Sequence, residues 1–120
     1  MSESLPIQEI VFSDYKRQIS EINIRIGEII AEIGKLETRA ERLNSLIAEH
    51  KNISAQSGEA KIISHYQRII EEDEGVLQYT ILNIGKLRRD IEDLERQRAE
   101  LEDMDEIANI SVDPTVRGIN

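Results

Sequence analysis

Phe12, Tyr15, Ile19, Ile22, Ile26, Ile29, Ile33, Leu36, Ala40, Leu43 and Ile47 follow one another at steps of three and four without a slip. A strand would alternate at every second residue. A repeat averaging about 3.5 residues instead keeps one narrow stripe of a helix against a partner along a left-handed supercoil. The pattern therefore predicts a long helix whose stripe has to be covered by another helix. Ser4 and Pro6 suit its start, since Ser caps free amide groups and Pro is tolerated in a first turn, and Ser13 is a competing start. The helix is expected over about 6–51, after a flexible stretch 1–5.

In heptad notation Phe12, Ile19, Ile26, Ile33, Ala40 and Ile47 take position a, and Tyr15, Ile22, Ile29, Leu36, Leu43 and His50 take d. Ile fills both positions in successive heptads, a choice that in parallel coils leans toward three or four strands and that an antiparallel hairpin relaxes. Residues 52–58 (Asn-Ile-Ser-Ala-Gln-Ser-Gly) collect turn formers, and Ser57 offers a cap for a second helix. A second frame then holds to about residue 108, with Ile63, Ile70, Leu77, Ile84 and Ile91 at a and Tyr66, Leu87, Leu94 and Leu101 at d. Asp73, Thr80, Arg98 and Asp105 fall on the same stripe. Gly75 costs about 1 kcal/mol relative to Ala in a helix interior. The frame nevertheless passes through it without insertion or deletion, which predicts one helix, not two.

Two further features bear on how the helices meet. Ile33-Gly34-Lys35-Leu36 recurs as Ile84-Gly85-Lys86-Leu87, and a hairpin would bring the copies near one another. Gly27, Gly34 and Gly85 share position b, where a missing side chain could admit a third helix. A hairpin centred on the turn would also place Arg98 near Asp14, giving an ion pair that sets register. After Asn109 the pattern changes: Pro114 and the β-branched residues around it predict an extended tail over 109–120, in which Val112, Pro114, Val116 and Ile119 would dock on a neighbour.

The expected fold is thus all-α: a long antiparallel helical hairpin, or coiled coil, assembling into a helical bundle, with an extended C-terminal tail. Assembly is expected because apolar residues outnumber the stripe. Ile30, Leu46, Ile53, Ile62, Ile69, Val76 and Ile81 lie beside it, and burying each is worth roughly 1.5–3 kcal/mol. One hairpin has one stripe and would leave these wet, and apolar bands of this extent mark interfaces.

Composition narrows the function. The net charge is −9, with Lys and Arg scattered among Asp and Glu, so neutralisation of phosphates would be opposed and nucleic acid is not an expected partner. No segment approaches the roughly 20 apolar residues of a membrane span, and residues 1–8 lack the pattern of a cleaved signal. No cysteine is present, which removes disulfides and thiolate chemistry and is compatible with a reducing compartment. A soluble chain is expected, cytoplasmic or within a macromolecular particle.

His50 and His65, beside Glu49 and Glu59, would meet near the turn, but two His with surface carboxylates poorly specify a metal. No metal or cofactor is expected. The acidic run Glu71-Glu72-Asp73-Glu74 fans out around its helix and predicts a solvated face. Nucleophiles lack a base, and carboxylates lack a cleft, so an enzyme is not expected.

The function these features imply is that of a non-enzymatic oligomeric structural or assembly component. Its partners would be itself, as a homo-oligomer, and at least one other protein, in a larger complex such as a viral or phage particle. In size, acidity and helix-turn-helix layout the chain resembles a prefoldin subunit, though 52–64 lacks the alternating apolar residues of a β-hairpin. That resemblance of layout implies a scaffolding or holdase-type chaperone as the alternative. A regulatory adaptor lending one helix to a partner's bundle would also use the surplus apolar face.

Overall fold

A computed structural model describes the backbone of residues 7–112 and the side chains of residues 14–110. Within that range the protein is all-α. It consists of α1 (Ile7–Gln56) and α2 (Ala60–Val112), joined by a connection at residues 57–59. The described residues fall into two compact units. One is Ile29–Arg89, which contains the connection; the other takes the rest of each helix, residues 7–28 and 90–112.

In the unit Ile29–Arg89 the helices run antiparallel. Glu37 pairs with Arg88 at 3.3 Å, Lys51 with Glu74 at 3.2 Å, and His50 Nδ1 stands 3.9 Å from Asp73 Oδ2. Between the helices lies the heptad stripe. Ile29, Ile33, Ile47, Ile70 and Ile84 are buried, Ile29 to 2% exposure. Leu36, Ala40, Leu43, Ile63, Tyr66, Leu77 and Leu87 are half-buried on the same line. Thr80 interrupts this line chemically but not sterically, being only 2% exposed. Its hydroxyl donates to the Val76 carbonyl at 2.8 Å, so burying it leaves no unmet donor.

In the other unit Ile26 is buried, and Ile19, Ile22, Ile91, Leu94 and Leu101 are half-buried at their a and d positions. Arg98 and Asp105, the polar members of the α2 stripe there, are half-buried as well.

The connection is shorter than the expected turn 52–58. Residues 52–56 remain helical, because turn-forming side chains are tolerated in a last helical turn when the next residues can leave it. Ser57 N–H donates to the Ser54 carbonyl at 3.3 Å, closing that turn. Ser57 Oγ then accepts from the Glu59 amide at 3.2 Å, just ahead of α2, whose first bond runs from the Ile63 amide to the Glu59 carbonyl. The short connection also sets the register. An extended residue advances about 3.3 Å and a helical one 1.5 Å, so the connection rises past the end of α1 before α2 turns back. The ion pairs are accordingly centred on the first turn of α2, near Lys61–Ile63, and not on the connection.

α2 runs unbroken through Gly75, and a Cβ built there, or at Gly27, Gly34 or Gly85, meets nothing within 4 Å. The two Ile-Gly-Lys-Leu copies run in opposite directions and abut at their C-terminal ends, where the following residues Glu37 and Arg88 pair. At the far end α2 stays helical to Val112, past the expected boundary at 108, because no Pro intervenes before Pro114. Residues 1–6 and 113–120, with the expected flexible N-terminus and most of the tail, lie outside the described residues.

Gly75→Ala should stabilise the hairpin by about 1 kcal/mol, the helix-propensity difference with no steric penalty. Ser57→Ala should destabilise it by about 1 kcal/mol through loss of the hydrogen bond that satisfies the Glu59 amide at the start of α2. Denaturant unfolding followed by circular dichroism measures both.

Candidate functional site

A helix turns about 100° per residue, so positions e and g lie on opposite sides of the a/d stripe. In the unit Ile29–Arg89 the two sides differ sharply. Glu37, Lys51, Glu74 and Arg88 all occupy e, and their two ion pairs close one flank across the helices. Asn44 and Gln67, also at e, add to its polar character.

The opposite flank carries the g positions. Leu46, Ile62 and Val76 are 38%, 36% and 37% exposed, and Ile53 and Ile69 are half-buried. Five of the seven expected interface residues therefore gather on one flank, while Ile30 and Ile81 sit on the ion-paired one, both exposed. Beside the apolar column stand Lys35, Arg39, Arg42, Glu49 and Glu72. None of these makes an ion pair or side-chain hydrogen bond among the described residues, in contrast to the four charges at e itself; Glu41 and Glu71, at b beside the e flank, make none either. Lys35, Thr38, Arg39 and Arg42 frame an open hollow on α1 that Leu43 and Leu46 extend.

Exposed apolar residues also occur where the flanking positions do not reach. Ile24, Leu82 and Ile110 at f, and Tyr79 and Ile107 at c, are largely exposed, Leu82 to 66%. An inspection confined to e and g misses them, although the same heptad frame extended to c and f locates them.

The expected Asp14–Arg98 pair does not form, and each residue has other partners. Arg98 donates to Asn23 Oδ1 at 2.8 Å and lies near Glu95 and Glu102 at 3.8 and 3.5 Å. Asp14 accepts from Arg17 and Gln18 on its own helix. The hydrogen bond from Arg17 comes first in holding the Asp14 carboxyl below its ordinary range, with that from Gln18 next. The mismatch follows from register: with α2 displaced by the connection, Arg98 comes level with Asn23, about two and a half turns along α1 from Asp14.

His50 and His65 each contact the Tyr66 ring, at centroid distances of 5.4 and 5.5 Å. The carboxylate nearest His50 is Asp73, neither Glu49 nor Glu59. His50 Nδ1 is buried without a hydrogen-bond partner, as is Asp105 Oδ1. Among the described residues no three His, Asp or Glu side chains gather as a metal site would require, and no helix is long and apolar enough to cross a membrane. Phe12 and the tail residues Val112, Pro114, Val116 and Ile119 lie outside the described side chains. Comparison with protein-family models, with curated proteins and with solved structures gives no match.

A buried polar atom left without a partner costs about 1–3 kcal/mol, so His50→Leu should stabilise the hairpin by about 1 kcal/mol after the loss of the long contact to Asp73. Urea midpoints of the variant and of His50→Gln, which keeps a polar group on the stripe, check this.

Proposed function

We propose that this chain is a non-enzymatic structural or assembly component, a coiled-coil hairpin that associates with further copies of itself into a helical bundle and through them builds a larger complex. The observation that carries the proposal is the asymmetry of the two flanks. Where the four charges at e pair with one another across the helices, the g flank presents Leu46, Ile62 and Val76 to solvent beside charges that have no partner among the described residues. An apolar column bordered by unpaired charges has the composition of a coiled-coil stripe, and a second hairpin would supply the missing half.

Association also accounts for the narrowness of the interior. Two helices bury one stripe, and the buried apolar residues described are all isoleucines on that line. Each further Leu, Ile or Val covered by a neighbour would contribute roughly 1.5–3 kcal/mol. The acidic net charge of −9 opposes unspecific clustering and favours a closed assembly of fixed size.

Sedimentation velocity on the full chain tests the proposal. A single oligomeric species at micromolar concentration is expected, and Val76→Lys should shift it toward monomer with its helicity retained. A monomer across the accessible concentration range would overturn the proposal.

A further inference from the structure

We infer that the g flank joins two copies of this chain as an antiparallel, two-fold symmetric pair whose axis passes beside Leu46. The inference rests on the self-association proposed above and specifies its geometry.

Arg42 and Glu49 occupy the same heptad position one heptad apart, both on the g side of α1, and neither has a partner among the described residues. In a two-fold interface every contact occurs twice, residue i of one copy meeting j of the other and j meeting i. An axis midway between Arg42 and Glu49 therefore sets Arg42 of each copy against Glu49 of the other. Two ion pairs form, and no charge of this pair meets its like. A parallel arrangement would set each residue at its own level and give Arg42 and Glu49 no reciprocal pairing.

The hollow on α1 points to the same axis independently. Lys35, Thr38, Arg39 and Arg42 are spaced i, i+3, i+4 and i+7, the four-residue frame that receives one side chain of a facing helix in knobs-into-holes packing. The two-fold midway between Arg42 and Glu49 carries the centre of this frame onto Ile53, a half-buried g residue of the other copy. The stems of Lys35, Arg39 and Arg42 supply apolar walls for such a side chain while their charged ends stay in water. Near the axis itself lie Leu46 of both copies, with Val76 and Tyr79 of α2 at the same level as judged from the His50–Asp73 and Lys51–Glu74 pairs one turn away. The apolar residues provide the affinity. The rim charges choose the orientation, because like charges brought together disfavour the wrong one.

Charge exchange in the full chain tests this. Sedimentation equilibrium should show self-association weakened about tenfold by Arg42→Glu and by Glu49→Arg, each of which brings like charges together. The double variant, which restores both pairs with inverted sign, should associate within a few fold of the natural chain. Circular dichroism verifies that each variant is folded. Since the chain has no cysteine, Leu46→Cys should in addition form a disulfide-linked dimer on mild oxidation, the two thiols meeting at the axis. A natural chain that is monomeric overturns both this arrangement and the self-association beneath it. An oligomeric chain whose double variant is no tighter than the single variants overturns the antiparallel arrangement alone.

Discussion

Ile29 and Ile33 on α1 and Ile70 and Ile84 on α2 are buried in a stripe only as wide as two heptad positions, and all the buried apolar residues described lie on that stripe. Neither helix would be stable in isolation by propensity, since helical order in water depends on an apolar face finding cover. Every other feature depends on holding that stripe shut. Thr80 can sit inside it because its hydroxyl is satisfied by the backbone of its own helix. His50 sits there less comfortably, with one ring nitrogen buried and unpaired. The flanks take their character from being next to the stripe and outside it.

A narrow interior has a consequence for function. A thick globular core creates clefts in which side chains are desolvated and their chemistry altered. The described part of this hairpin has one narrow interior, and most of its side chains lie on its faces. The uneven distribution of charge is therefore its most informative functional feature. Ion pairs join the e positions, whereas the g flank combines exposed Leu46, Ile62 and Val76 with Arg42 and Glu49, which are unpaired among the described residues.

Most of the fold was legible because heptad phase is a local property. The described residues assigned to a and d are all buried or half-buried, including the polar Asp73, Thr80, Arg98 and Asp105 that broke the apolar pattern of α2. Continuity through Gly75 was legible for the same reason, as an unshifted phase. The ends of elements were less so: residues 52–56 have turn-forming side chains yet remain helical, and α2 continues past Asn109 to Val112. Composition describes what a residue tolerates, while the helix end is decided by which backbone groups find partners, here the Ser54 carbonyl, which accepts from the Ser57 amide.

The amino-acid sequence by itself determined that two long helices would form, which line on each would face inward, and that apolar side chains would remain beyond that line. It left open how far α2 slides along α1. That was decided by the path of the three-residue connection, which rises before α2 turns back and places Arg98 opposite Asn23 and not near Asp14. The same register closes the e flank with Lys51–Glu74 and Glu37–Arg88 and leaves Arg42 and Glu49 without partners on the other side. Periodicity belongs to one segment and can be counted along the chain. The pairing of charges across two segments depends on their relative displacement, a quantity that exists only once the chain has folded back.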